Sequence, residues 1–231
     1  MTTKTKGQED KAMNSKLKEF TATAARPLPV ILLADVSGSM SVNGKIEALN
    51  QSVREMLSTF SSSDNLRAEI HVAVITFGGE ARLHVPLQPA SSVKWVDMAA
   101  DGGTPMGQAM TLAADLIEDK DQIPGRAYRP TVVLISDGQP TDSWQAGLDR
   151  LTKQGRAQKA DRMALAIGGD ADVDMLRRFL ADEKKQVFVA ADARRIKDFF
   201  QFVTMSVTAR SRSANPNEVP QLQNPFELDR T

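Results

Sequence analysis

The 231-residue chain has no cysteine, which excludes disulfides, zinc–thiolate sites, thiolate-held iron–sulfur clusters and thiol nucleophiles. Charge of one sign is missing too: 29 lysines and arginines face 29 aspartates and glutamates, a balance that argues against gripping nucleic acid by its phosphates. No apolar run approaches the ~18 residues that a membrane span requires. The opening MTTKTKGQEDKAMNSKLKEF has no apolar segment of the secretory kind. The expectation is a soluble, cytoplasmic protein with neither membrane nor nucleic acid as partner. Histidine is scarce as well: His71 and His84 have no second histidine or cysteine near them and read as structural. A metal would then be held by oxygen.

What is present alternates. PVILLADV (29–36), PTVVLISD (130–137), MALAIG (163–168) and QVFVA (186–190) are short apolar runs suited to strands covered on both faces. EIHVAVITF (69–77), Gly78-Gly79 and ARLHVPL (81–87) read as a hairpin whose second arm, with Pro86, lies at a sheet edge. Between the runs, Ile46, Leu49, Val53, Leu57 and Phe60 recur at helical steps, as do Ile196, Phe199, Phe200, Val203 and Val207. Thr104 is a candidate N-cap with Pro105 opening the helix, and Asp142 and Asp172 are candidate caps for two more. The pattern predicts an α/β fold: a doubly wound, mostly parallel six-stranded sheet, one antiparallel edge strand, and helices on both faces. About 70% of the unfolded surface can be buried at this length, so one domain over 27–210 is expected, with a polar tail at 1–26 and an extended or disordered one at 211–231.

In such sheets ligands bind outside the carboxyl ends of the strands. There stand Asp35-Val36-Ser37-Gly38-Ser39, Asp137-Gly138, and between them the loop Asp101-Gly102-Gly103-Thr104-Pro105. Asp35, Ser37, Ser39, Thr104 and Asp137 make an all-oxygen set with two formal negative charges, suited to a hard divalent cation: Mg2+ first, Mn2+ or Ca2+ next. Aspartates acting through water would leave such an ion an open position for an anion, and a carboxylate from another protein fills it well.

These residues resemble the von Willebrand factor A domain: DVSGSM (35–40) fits its D-x-S-x-S motif, GGTP supplies its threonine and ISDG its last aspartate. The resemblance implies a metal-ion-dependent adhesion site. Ser37 and Ser39 would ligate directly, Thr104 in the ligand-bound state, and Asp35 and Asp137 mostly through water. Residues 26–145, together with FFQFVTMSVTARSRS, also resemble TerY-like bacterial proteins of tellurium resistance and stress response. That resemblance implies a kinase-like protein and a PP2C-type phosphatase as partners.

The expectation is thus a non-catalytic binding module. A Mg2+-dependent phosphohydrolase with Asp35 as nucleophile is one alternative, although the second acid of the haloacid-dehalogenase pattern is replaced by Ser37. A scaffold with an empty site is another. Asp170, Asp172 and Asp174 imitate the start of a calcium loop, but Met175 and Ala181 stand where its Gly and Glu belong.

Overall fold

The computed structural model describes residues 25–62 and 68–219, so most of the expected N-terminal tail and the chain beyond 219 lie outside the described residues. Strands β1 (Arg26–Asp35), β2 (Ala68–Gly78), β3 (Glu80–Pro89), β4 (Thr131–Ser136), β5 (Asp161–Ile167) and β6 (Phe188–Ala190) form one sheet in the order β3-β2-β1-β4-β5-β6. Only the β2–β3 pair is antiparallel. Among the described residues five helices cover the sheet: α1 (Lys45–Ser61), α2 (Met106–Glu118), α3 (Trp144–Lys153), α4 (Val173–Leu180) and α5 (Arg194–Arg212). This is the fold class the alternating pattern predicts.

The unbroken apolar runs follow from burial on both sides. In β1, Val30, Leu32 and Ala34 pack with Leu49 and Val53 of α1 and Phe199 and Val203 of α5. Ile31 and Leu33 point the other way, into a second core with Met110 of α2, Leu148 of α3 and Phe179 of α4. A strand flanked by helices on each face has no polar side to show in sequence. Pro86 is tolerated in β3 because the strand is an edge and its register with β2 shifts between Val85 and Gln88. The chain crosses from β1 to β2 on one side and later to β4 on the other. The carboxyl ends of β1 and β4 therefore flank the switch point where such sheets open a crevice.

The body extends to both sides of the expected limits. The sheet starts at Arg26, and α5 runs to Arg212 with Arg210 fully buried. Arg210 donates to Thr131 Oγ1 (2.5 Å), the Arg129 carbonyl (2.7 Å) and the Pro216 carbonyl (2.9 Å), which folds the segment after α5 back against β4. Burial lowers its guanidinium to about 10, still charged at neutral pH.

Two local expectations are corrected. Pro105 occupies the N-cap position of α2, with Met106 as the first helical residue, and the Thr104 side chain makes no capping bond. The free N–H groups of Gly107 and Gln108 instead donate to the two carboxylate oxygens of Asp142, at 2.9 Å each. Asp142 thus caps a neighbouring helix, while Ser143 holds the N-cap position of α3. The cause is a close helix contact: a Cβ on Gly107 would lie 2.5 Å from the Trp144 Cα, and one on Gly147 would lie 2.2 Å from the Gly107 carbonyl oxygen. This proximity brings the loop before α3 onto the start of α2. Asp142→Ala is expected to cost about 1–2 kcal/mol in urea denaturation, the usual value of a lost carboxylate cap. Asp172 behaves as the sequence suggests and caps its own helix, accepting from Met175 N–H at 2.9 Å.

Candidate metal centre

β1 ends at Asp35, and the chain leaves the sheet in a tight loop. Asp35 shapes that loop: its Oδ1 accepts from the Ser37 N–H at 2.8 Å, and its Oδ2 accepts from the Ser136 hydroxyl at 2.5 Å. The chain then enters a single 3-10 turn, Gly38–Ser41, anchored by buried Met40. This brings the Ser37 and Ser39 hydroxyls to 3.0 Å from each other. The Ser39 hydroxyl also donates to Asp137 Oδ1 at 2.7 Å.

The loop carrying Thr104 is stitched on by backbone bonds. Gly38 N–H donates to the Gly102 carbonyl (2.9 Å), Asp101 N–H to Val36 (2.8 Å), and Gly79 N–H to Gly103 (3.0 Å). Gly102 makes this approach feasible: its φ is +74°, and a Cβ there would lie 2.5 Å from the Gly79 nitrogen. Thr104 N–H in turn donates to Thr141 Oγ1 at 2.9 Å. A Cβ on Gly138 would lie 3.7 Å from Thr104 Oγ1 and 4.0 Å from Ser39 Oγ, so these two hydroxyls flank the glycine. All five residues singled out in the sequence therefore share one crevice. Asp35, Ser37, Thr104 and Asp137 are buried, and Ser39 opens to solvent.

The electrostatics of the crevice favour a cation. Burial pushes the Asp35 carboxyl above its usual 3.8, the hydrogen bonds from Ser136 and Ser37 oppose that, and the Asp137 charge pushes the same way as burial. Two residues outside the expected set answer this strain. Ser136 holds Asp35 and also accepts from Gly138 N–H at 3.2 Å. The Lys45 ammonium, at the start of α1, lies 2.6 Å from Asp137 Oδ2. Ser136 had one signal in the sequence, a polar residue ending an apolar strand beside β1; Lys45 had none.

The donor set fits a small hard cation. Neighbouring oxygens of an octahedral Mg2+ shell stand about 2.9 Å apart, √2 times the ~2.05 Å metal–oxygen distance. The Ser37 and Ser39 hydroxyls, the two expected direct ligands, stand 3.0 Å apart, close to that value, and the Asp137 carboxylate lies one hydrogen bond behind Ser39. Among the described residues, no three His, Cys, Asp or Glu side chains gather so as to hold a metal. Here two carboxylates are completed by hydroxyls instead.

The remaining candidates are structural. His71 faces Glu69 at 2.6 Å, and His84 packs edge-on against Trp95 with its Nε2 2.8 Å from the Val96 carbonyl oxygen. Trp144 is half-buried against the α2–α3 core, below Arg178. Asp101, which opens the loop that carries Thr104, is exposed, and its carboxylate accepts from Gly102 N–H. A cavity of about 810 Å3, lined by Val173, Arg177, Asp182, Lys185 and Val189 and by none of the five crevice residues, opens beside α4 and β6.

Comparisons with known proteins agree with this fold. The chain is 26% identical over 207 residues to human inter-alpha-trypsin inhibitor heavy chain H6, covering 82% of this chain and 16% of that protein. It is 31% identical over 149 residues to an uncharacterised protein of Mycobacterium tuberculosis, covering 62% of this chain and 22% of that one. It therefore spans less than a quarter of the length of these relatives. Among solved structures, a von Willebrand factor type A protein from Catenulispora acidiphila superposes with a TM-score of 0.61 at 20% identity, over 80% of this chain and 43% of that one. Proximal thread matrix protein 1 of the mussel byssus, solved with a zinc-occupied MIDAS motif, superposes with a TM-score of 0.62 at 15% identity, over 80% and 48%. The sequence model of the von Willebrand factor type A domain matches residues 30–202, and the chain belongs to that family.

Proposed function

We propose that the protein is a non-catalytic binding domain in which Asp35, Ser37, Ser39, Thr104 and Asp137 hold a divalent ion. Mg2+ is the first choice, with Mn2+ or Ca2+ as alternatives. The ion supplies a Lewis-acid position for an aspartate or glutamate carboxylate of a protein partner. The observation that carries this reading is the convergence of Asp35, Ser37, Ser39, Thr104 and Asp137 in one crevice, with the Ser37 and Ser39 hydroxyls 3.0 Å apart, Ser39 bonded to Asp137, and Thr104 and Ser39 flanking Gly138. The zinc in the MIDAS motif of the mussel protein supports it. The chain's own residues do the positioning. Asp35 braces the serine loop, Ser136 locks Asp35, and the backbone bonds from Gly38 and Asp101 fix the Thr104 loop beside them.

The phosphohydrolase reading is disfavoured by the state of Asp35. It is fully buried, with Oδ1 accepting from the Ser37 N–H and Oδ2 from the Ser136 hydroxyl, so neither oxygen is exposed to attack a substrate phosphorus. A scaffold with a metal-free site is the second reading, and the Lys45–Asp137 pair favours it. On the sequence likeness of residues 26–145 to TerY-like proteins, we place the domain in a cytoplasmic bacterial stress-response or tellurium-resistance system with kinase-like and PP2C-type phosphatase partners. No helix among the described residues is long and apolar enough to cross a membrane. The test is a pull-down from native extract in Mg2+ and in EDTA, with Asp35→Asn as control. A partner retained only by wild-type protein in Mg2+ is the expected result. Equal retention in all arms would favour the scaffold.

A further inference from the structure

Lys45 is the feature of the crevice that metal binding alone does not explain. It is the first residue of α1, after a turn in which Asn43 and Gly44 both take left-handed conformations, φ 58° and 71°. This turn directs the lysine back over the serine loop. Its Nζ donates to Asp137 Oδ2 at 2.6 Å and lies 3.4 Å from the Ser39 carbonyl oxygen. The lysine side chain is 16% exposed, and that of Asp137 is fully buried. The two oxygens of Asp137 are thereby divided, Oδ1 to the Ser39 hydroxyl and Oδ2 to the ammonium.

We infer that Lys45 is a built-in competing cation that holds the divalent-ion affinity of the crevice down, so that the ion loads fully only together with a carboxylate ligand. This rests on the metal-binding reading above. The formal charge of the donor set falls from −2 to −1 when Lys45 is counted. An ammonium on one oxygen of a carboxylate repels a divalent ion drawn to the other, and at this depth solvent screens the repulsion weakly. An incoming carboxylate adds the negative charge that Lys45 has cancelled. Ion and carboxylate then stabilise each other's binding, and each raises the other's affinity by the same factor.

The test measures Mn2+ affinity by electron paramagnetic resonance of the free ion, for wild type, Lys45→Met and Lys45→Arg, with and without sodium acetate at constant ionic strength. Met keeps the length and apolar stem and removes the charge; Arg keeps the charge. Lys45→Met is expected to bind Mn2+ at least ~10-fold more tightly than wild type, on the basis of one removed positive charge beside the ion. Lys45→Arg should stay near wild type. Acetate should tighten Mn2+ binding to wild type more than to Lys45→Met. Unchanged or weaker binding by folded Lys45→Met overturns the inference alone and makes Lys45 a prop for Asp137. No Mn2+ binding at millimolar concentration by either folded protein overturns the metal reading and this inference together.

Discussion

Saturating Mg2+ or Mn2+ is expected to raise the melting temperature of the protein by roughly 5–10 °C, and Asp35→Asn or Asp137→Asn should remove the rise. An ion at 100 times its dissociation constant stabilises the folded state by about 2.7 kcal/mol, because the unfolded chain does not assemble the site. Each kcal/mol moves the midpoint of a domain this size by about 2–4 °C. The asparagine variants isolate charge from shape. In Asp35→Asn, the amide oxygen still accepts from Ser37 N–H and the amide nitrogen donates to Ser136 Oγ, which both accepts and donates. The fold is retained while the set loses half of its formal charge. Since burial already works against the Asp35 carboxylate, the melting temperature of Asp35→Asn in EDTA should equal or exceed that of wild type. A Mg2+-dependent rise in Asp35→Asn equal to that of wild type would place the ion elsewhere.

Gly78→Ala is expected to damage both stability and metal binding with a single added methyl. Gly78 ends β2 where three segments meet. A Cβ there would lie 2.5 Å from the Val36 carbonyl oxygen and 2.6 Å from that of Asp101. Both are backbone atoms, and both belong to segments that carry site residues. Rotamer change in Val36 would relieve its Cγ2, 2.7 Å away, but neither carbonyl. Either β2 separates from the end of β1, or the 101–103 loop lifts and breaks the Asp101-to-Val36 and Gly38-to-Gly102 bonds. Overpacking of this kind against backbone costs about 3 kcal/mol or more. The folded fraction that survives should also bind Mn2+ at least ~10-fold more weakly, because a loss of 1.4 kcal/mol in positioning is already tenfold. Gly125→Ala, with nothing within 4 Å of its Cβ, serves as the neutral control and should stay within about 0.5 kcal/mol of wild type. Urea denaturation with Mn2+ titration reads both effects.

The sheet was legible because its signal is local. Val30 to Ala34 and Val132 to Ile135 are apolar without interruption, which is the mark of strands covered on both faces. The stripe through Leu49, Val53 and Phe60 gives α1 in the same way. The five candidate residues were legible for a similar reason, since three of them lie within five positions and the others follow a turn or a strand. What sequence could not show are contacts that cross the chain. Ser136 reaches Asp35, 101 positions away, only because β1 and β4 pair with Ala34 opposite Ile135. Lys45 reaches Asp137 across 92 positions because a left-handed turn points α1 at the crevice. Asp142 looked like the cap of the helix that follows it, and the close approach of Gly107 to Trp144 hands it to α2 instead. Each of these depends on strand register, on helix crossing or on where a turn aims a helix, and no spacing along the chain encodes the partner.

The most direct measurement is an anomalous difference map at the manganese edge from crystals grown in saturating Mn2+. One peak among the oxygens of Asp35, Ser37, Ser39, Thr104 and Asp137 is the expected result, with none in Asp35→Asn crystals. A map with no peak in this crevice, from wild-type protein of the same fold, would contradict the metal-dependent reading.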